Sequence, residues 1–485
     1  MRRIGHRSFL TGAAAARALL TPATLLFFAV AALAQDPSTT APAKPDTGDT
    51  AWMLVSAALV LLMTPGLALF YGGMVRAKNV LNMLMKSFIA ISVVTVLWVI
   101  VGYSLAFAPG SAFLGDLRYM GLGNVGQDVF SLNGTDYTFP HQVWMAYQLM
   151  FAIITPALIS GAIAERMKFS TYVVFIALWS LFVYAPLAHM VWGEGGYLFK
   201  LGALDFAGGT VVHISSGISA LVLCILLGRR RQERAEDLRP HNLPMVLIGT
   251  GLLWFGWFGF NAGSAGASGG LAGSAFVVTH IAAAVAGLTW AIIEWIAVKQ
   301  PTALGFATGA VAGLVAITPA SGFVSPISAI AIGVGVSCCS YFAIKMKGKF
   351  GYDDTLDVFG VHCVGGIWGA LATGLFAQKA VNAAVTNEGL LVGGGATLLT
   401  KQIIAILIAL VLAGGITFLI GLILKATMGL RAAPNQEDAG LDLSQHGEEG
   451  YAGGLGSGGL EPAPAFATAQ HGTAPAPALK PGTAH

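Results

Sequence analysis

Between Ala51 and Lys425 the chain alternates long apolar runs with short polar breaks. The runs lie near 51–75, 86–107, 141–163, 170–190, 207–228, 243–262, 274–298, 301–320, 324–344, 357–378 and 398–425. Each reaches the ~20 residues an α-helix needs to cross a hydrocarbon core. The pattern predicts an all-α polytopic membrane protein with eleven transmembrane helices, and an odd number places the two ends on opposite sides. With the first helix entering from outside, the cytoplasmic loops hold Arg76, Lys78, Lys86, Arg166, Lys168, Arg229, Arg230, Arg231, Arg234, Arg239, Lys299, Lys345, Lys347 and Lys349. The exterior loops hold only Arg118, Lys200 and Lys379. That bias predicts the N-terminus outside and the C-terminus inside, in a bacterial inner membrane.

The ends read differently. Residues 1–34 carry Arg2, Arg3, Arg7 and Arg17, the apolar stretch Leu25–Leu33 and then Ala32-Leu33-Ala34, the pattern of a secretory signal peptide. Leu25–Leu33 is too short to span, and the residues around Arg2-Arg3 do not complete a twin-arginine pattern, so general export is expected. Residues 35–50 form a polar, Pro-rich periplasmic linker, 51–427 the membrane domain, and 428–485 a cytoplasmic tail, disordered after about 451. Residues 452–485 carry no interpretable motif.

Composition supports this class. Charged residues are 10% of the chain, against roughly 25% in soluble domains, which argues against a soluble enzyme or a nucleic-acid binder. The 63 glycines suit helices that approach closely in lipid. A net charge of +3 defines no partner, and the four cysteines, all inside apolar runs, suggest no disulfide framework.

Candidate chemistry comes from a repeated motif. Segment five reads Asp205 to His213-Ile-Ser-Ser-Gly217-Ile218 and segment ten Asp357 to His362-Cys-Val-Gly-Gly366-Ile367, so both contain Val-His-x-x-x-Gly-Ile after an Asp. Five helices separate the copies, so they run in opposite directions: helices 1–5 and 6–10 are expected to be inverted repeats, followed by a long eleventh helix. Helix rise places His213 about 12 Å past Asp205 and His362 about 8 Å past Asp357. Across a ~30 Å core, the imidazoles then lie within roughly 10 Å of each other in depth. A lone His in a helix is usually a packing residue, whereas two in matching motifs point to a pathway. Either Asp could simply cap its helix; Asp205, near Trp192 on the same outer loop, is the one read as part of a cation site.

At this point the sequence resembles the ammonium transporter family (Amt/Mep, with the Rh proteins as distant relatives), over about residues 48–450. The resemblance is carried by GGMVRAKNVLN at 72–82, Tyr147-Gln148 to Phe151 ahead of GAIAERM, AHMVWG ending at Gly193, LDFAGGTVVHI at 204–214, GWFGFNAGS at 256–264 and DVFGVHCVGGIWGAL at 357–371. It implies an outer substrate site of Tyr147, Phe151, Trp192 and Ser264, with Asp205 as a structurally essential carboxylate beside it. It further implies a stacked gate of Phe151 and Phe260, paired pore histidines His213 and His362, and pore-side support from Thr210 and Trp257. A homotrimer with one pore per subunit is implied, with no metal and no cofactor. Glu194 departs from the glycine many relatives have there and adds negative charge at the outer mouth.

Moving a cation out of water costs more than any one contact returns. Aromatic faces give about 0.5–2 kcal/mol each, and the Ser264 hydroxyl can accept a hydrogen bond. Giving up its proton costs ammonium about 3 kcal/mol, taking its pKa as roughly two units above neutral pH. Deprotonation near the Phe gate and passage of ammonia past the histidines is therefore the expected route, with or without a separately relayed proton. Asp205 is expected to act electrostatically and to hold its loop.

The tail segment Leu430–Tyr451, with its GLD and HGE elements, resembles the family's cytoplasmic tail, where a PII-type nitrogen regulatory protein commonly binds. Rival readings are an ammonium sensor signalling through a tail-bound partner, an Rh-type ammonia gas channel, and a metal site built on His213, His362, Asp205 and Cys363. The last lacks any His-Glu-x-x-His motif.

Overall fold

The structure, a computed structural model, describes residues 44–231 and 238–451. The signal peptide, most of the linker, Arg234 and residues 452–485 lie outside the described residues. One compact unit runs to Gly450; of the second, Tyr451–His485, only Tyr451 is described.

Ten helices among the described residues are long and apolar enough to cross a membrane. They are α1 (Thr47–Met74), α2 (Ala77–Phe107), α3 (His141–Ile163), α4 (Phe169–Leu201), α5 (Gly209–Leu227), α6 (Leu243–Ala265), α7 (Gly270–Val298), α9 (Pro326–Phe350), α10 (Phe359–Phe376) and α11 (Thr397–Thr427). The eighth apolar run holds α8 (Ala303–Ile317), with 15 residues, about 22 Å long against a core of ~30 Å. Pro319 stops it: a proline just past the helix end cannot continue the backbone ladder. The chain turns instead through Ala320 and Phe323, whose N–H groups bond back to Ile317 and Ala320. The first helix begins at Thr47 rather than Ala51, because the Asp46 carboxylate accepts the Asp49 N–H at 2.8 Å and caps it.

Large apolar side chains remain exposed on the outside of the bundle, among them Val411 at 74%, Ile296 at 70% and Leu419 at 59%. Water would not tolerate so much apolar surface; lipid does. The protein is a multi-pass membrane protein.

The connections gather in two sets. At one end Arg76 bonds Glu165, Arg230 pairs with Asp353, and Arg166 donates to the Asp353 carbonyl and to Thr355. At the other, Asp46 bonds the Thr138 carbonyl, Ser268 bonds Asp49, and Phe206 bonds the Pro319 carbonyl. This second end carries the one departure from an all-α fold among the described residues, an antiparallel hairpin of β1 (Val129–Leu132) and β2 (Thr135–Pro140). Its Asn133-Gly134 turn has positive φ at both residues, the geometry two-residue hairpins favour.

The tail up to Gly450 is ordered at the arginine-rich end as α12 (Pro434–Ala439) and α13 (Leu441–His446). Asp442 accepts the N–H groups of Leu81 and Asn82 at 2.9 and 2.7 Å, satisfying donors that open the α-helical part of α2. Burial pushes the Asp442 carboxyl above its usual range, opposed by those two N–H groups and by Lys86. Asn79 accepts the Leu441 N–H, and Arg431 clamps Glu437.

Candidate functional site

Asp205 lies in the loop between α4 and α5. Its Oδ1 accepts Gly208 N–H and Gly209 N–H at 2.8 and 2.6 Å; its Oδ2 accepts Thr210 N–H at 2.8 Å and the Thr210 hydroxyl. The carboxylate therefore caps α5 with both oxygens engaged, and Thr210 is part of that cap. Trp192 Nε1–H donates to the Asp205 backbone carbonyl at 3.0 Å, which fixes the indole beside the loop. Asp205 thus orients Trp192 through its backbone while its side chain organises the helix end.

From Trp192 a file of rings runs into the bundle. Trp192 meets Phe151 edge-on, centroids 6.1 Å apart; Phe151 stacks on Phe260 at 4.1 Å; Phe260 lies 6.2 Å from the His213 ring. Phe151 and Phe260 are 1% exposed and in stacking contact, so nothing passes between them without ring rotation. Beside Phe151, the Tyr147 hydroxyl lies 2.8 Å from the Phe260 carbonyl and 3.1 Å from Ser264 Oγ. Ser264 spends its own proton on the Phe260 carbonyl at 2.9 Å, which leaves its oxygen lone pairs as acceptors.

His213 and His362 meet below the gate, Nδ1 to Nδ1 at 3.3 Å and centroids 5.4 Å apart. Trp257 stacks on His213 at 5.5 Å and is held by its Nε1–H donating to Thr318 at 2.9 Å, so the early end of α8 positions this ring. Each histidine sits in a widened π-helical stretch at the start of its helix, Gly209–Ile214 and Phe359–Cys363, a distortion frequent at functional sites. The motif glycines explain how the two helices come so close. A Cβ on Gly217 would fall 2.3 Å from Cys363 N, and one on Gly366 would fall 3.0 Å from Ile214 and 3.2 Å from His213. Each motif's glycine is the bed for the other motif's histidine turn.

A cavity of about 10 Å³ beside the pair is lined by His213, His362, Trp257, Phe260 and apolar side chains such as Leu67 and Ile154. That is about the space one water-sized molecule needs. His213 Nε2 is buried without a protein partner. A second cavity, sharing Phe70, Val311 and His362 with the first, continues to Asp357. The arrangement offers a narrow, mostly apolar passage with paired imidazoles as its polar groups.

Residues 51–451 match the family model described as Ammonium Transporter Family. The ammonium transporter of Bacillus subtilis is 51% identical over 405 residues, covering 83% of this chain and 98% of that protein. The chain belongs to the ammonium transporter family. Amt1 of Archaeoglobus fulgidus, another of this family, is 46% identical over 83% of this chain and 99% of its own length. Among solved structures, Mep2 of Saccharomyces cerevisiae superposes with a TM-score of 0.74 at 36% identity, covering 81% of this chain and 89% of that one. A structure described as a sensor Amt protein superposes with the same score at 29% identity, covering 82% and 98%.

In this member of the family, one expectation needs correcting: Asp357 does not cap α10. Its backbone is left-handed, φ 60°, and its carboxylate pairs with Lys347. The cap is Asp354, which accepts the Phe359 N–H at 2.7 Å. The buried Asp354 Oδ1 has no hydrogen-bond partner. Burial pushes the Asp354 carboxyl up to about 6, and the neighbouring Asp357 adds to the rise. Other positioning residues are Asn133, whose side chain grips the Trp192 and Gly193 carbonyls and the Gly195 N–H, and Gln402, which bridges Leu204 and the Ala370 carbonyl. Glu194 is exposed beside the Asn133 grip. Asn-Gly was the available signal for Asn133; nothing in the sequence singles out Gln402 or Lys347. Among the described residues no group of three or more His, Cys, Asp or Glu side chains is placed to hold a metal ion.

Proposed function

We propose that this protein transports ammonium: it captures the ion at Trp192, Phe151, Tyr147 and Ser264, strips its proton near the Phe151–Phe260 gate, and conducts ammonia past His213 and His362. The observation that carries the reading is the continuous file from Trp192 to His362 ending in a cavity about one small molecule wide. Capture uses aromatic faces and the free lone pairs of Ser264. Asp205, saturated by its own loop, acts on the cation through its field and by holding Trp192. Proton loss, at about 3 kcal/mol for a group roughly two pKa units above neutral, is far cheaper than burying the charge. His213 Nε2 is available to bond the passing ammonia, and the 3.3 Å imidazole contact is a route for a separate proton.

The same reading takes α8 with its following turn as the eighth of eleven crossings, N-terminus out and C-terminus in, in the inner membrane. The reciprocal glycine beds support two inverted five-helix halves. A homotrimer and a PII-type partner at the docked tail complete it. The sensor reading stands second, favoured by the sensor Amt likeness and by the tail's contact with α2.

Charge movement across proteoliposomes on an ammonium pulse, with Na⁺ and K⁺ pulses as controls, tests the proposal. A signal with ammonium alone supports it. Alkalinisation without current makes the protein a gas channel, and silence in both favours the sensor.

A further inference from the structure

A cavity of about 650 Å³, within the roughly 300–1,000 Å³ of ligand sites, opens between the C-terminal ends of α5 and α9, away from the ring file. Its walls are apolar: Leu221 and Ile225 from α5, Met346 and Phe350 from α9, and Phe359 from the start of α10. Ile225 is 59% exposed and Phe350 69%, so the groove opens on the lipid-facing surface. Its rim, at the arginine-rich end, is polar. Arg229 lines it, with Nε–H donating to the Gly351 carbonyl at 3.1 Å, and no carboxylate among the described residues pairs with its guanidinium. The rim carboxylate Asp353 is already engaged: burial pushes its pKa up, but the Arg230 hydrogen bonds and charge outweigh this and hold it at about 2. Arg230 reaches it at 2.9 and 3.0 Å. Among the described residues the rim therefore keeps the positive charge of Arg229, with exposed Lys345 and Lys349 on the neighbouring turns of α9.

An apolar trough in the lipid-facing surface, ending at a cation at headgroup depth, is complementary to an acyl chain joined to a phosphate. We infer that this groove binds an anionic phospholipid, one acyl chain between Ile225 and Phe350 and the phosphate on Arg229. A zwitterionic lipid carries its own cation and gains less from the rim. Because Phe359 walls the groove and shares its π-helical stretch with His362, the lipid packs one turn from the histidine pair.

The test uses the full protein in nanodiscs containing a phosphatidylglycerol with a diazirine on its acyl chain, against the matching phosphatidylcholine, with labelled peptides located by mass spectrometry. Peptides around Ile225 and Met346–Phe350 should label about five-fold more with phosphatidylglycerol, the preference one surface cation gives. Arg229→Gln should bring the labelling to the phosphatidylcholine level and Arg229→Lys should restore it. Ala343→Trp, which fills the trough, should abolish it with both lipids. Equal labelling by the two headgroups, or labelling indifferent to Arg229→Gln, overturns the proposal. So does a groove that stays unlabelled because a second copy of this chain covers it.

Discussion

The two histidine-bearing helices, α5 and α10, carry the same motif and begin in different ways. α5 opens on Asp205, both of whose oxygens are consumed by its own loop. α10 opens on Asp354, while the motif's Asp357 is turned out in a left-handed conformation and held by Lys347 from α9. The two motif carboxylates, Asp205 and Asp357, thus do unlike jobs. The difference follows from spacing: Asp205 stands eight residues before His213, as Asp354 does before His362, and from that distance the carboxylate caps the helix, whereas Asp357, only five before His362, does not. The histidines are nevertheless brought together symmetrically, because the glycine four residues after each one receives the opposite helix.

The comparison can be broken most forcefully at Asp205. Asp205→Ala leaves three short N–H bonds and a hydroxyl bond without an acceptor and is expected to cost about 2–4 kcal/mol, more than an ordinary cap, seen as a lowered unfolding temperature in detergent together with lost ammonium uptake. Asp205→Asn keeps one acceptor oxygen; normal transport by that variant would refute the role given to this carboxylate. Next come the glycines. Gly217→Ala would put its methyl 2.3 Å from the Cys363 backbone nitrogen and should destabilise by about 1–3 kcal/mol, whereas Gly366→Ala meets Ile214, the Gly209 carbonyl and His213 at 3.0, 3.1 and 3.2 Å, only a few tenths of an ångström too close, and should cost less than about 1 kcal/mol. Equal melting shifts for the two would show that the reciprocal packing is not as asymmetric as the distances imply. The smallest effect is expected at the other carboxylate. Asp357→Asn or Lys347→Met breaks a pair whose side chains are 30% and 27% exposed and should shift stability by at most about 1 kcal/mol. If Asp357→Asn destabilises as much as Asp205→Ala, the two helices begin more alike than proposed.

Much of this was legible in the sequence because it is periodic or repeated. Apolar runs of spanning length gave the long helices, and the duplicated Val-His-x-x-x-Gly-Ile brought His213 and His362 to one depth, where the structure puts them in contact. The resemblance placed Tyr147, Phe151, Trp192, Phe260 and Ser264 together, and they do converge. What could not be read were partnerships between distant segments. The acceptors Asp354 and Asp442 serve backbone N–H groups, which every residue has and no sequence marks. Lys347 reads as one more positive-inside charge until α9 delivers it to Asp357. The short α8 was hidden because hydropathy runs on through Thr318-Pro319 into the following turn, while Pro319, the visible stop signal, lies inside the apolar window. The hairpin strands, four and six residues long, are too brief to stand out from a polar loop.

The histidine pair is the centre of the account, and the most direct test changes it without emptying it. Ammonium-driven charge movement and internal pH should be followed together in proteoliposomes of the native protein, His213→Gln and His362→Gln. If substrate passes along these rings, either substitution lowers the ammonium signal at least about ten-fold, equivalent to ~1.4 kcal/mol of barrier, while Na⁺ and K⁺ stay silent. Native-sized ammonium signals in both variants would contradict it, because the route would then not run past His213 and His362.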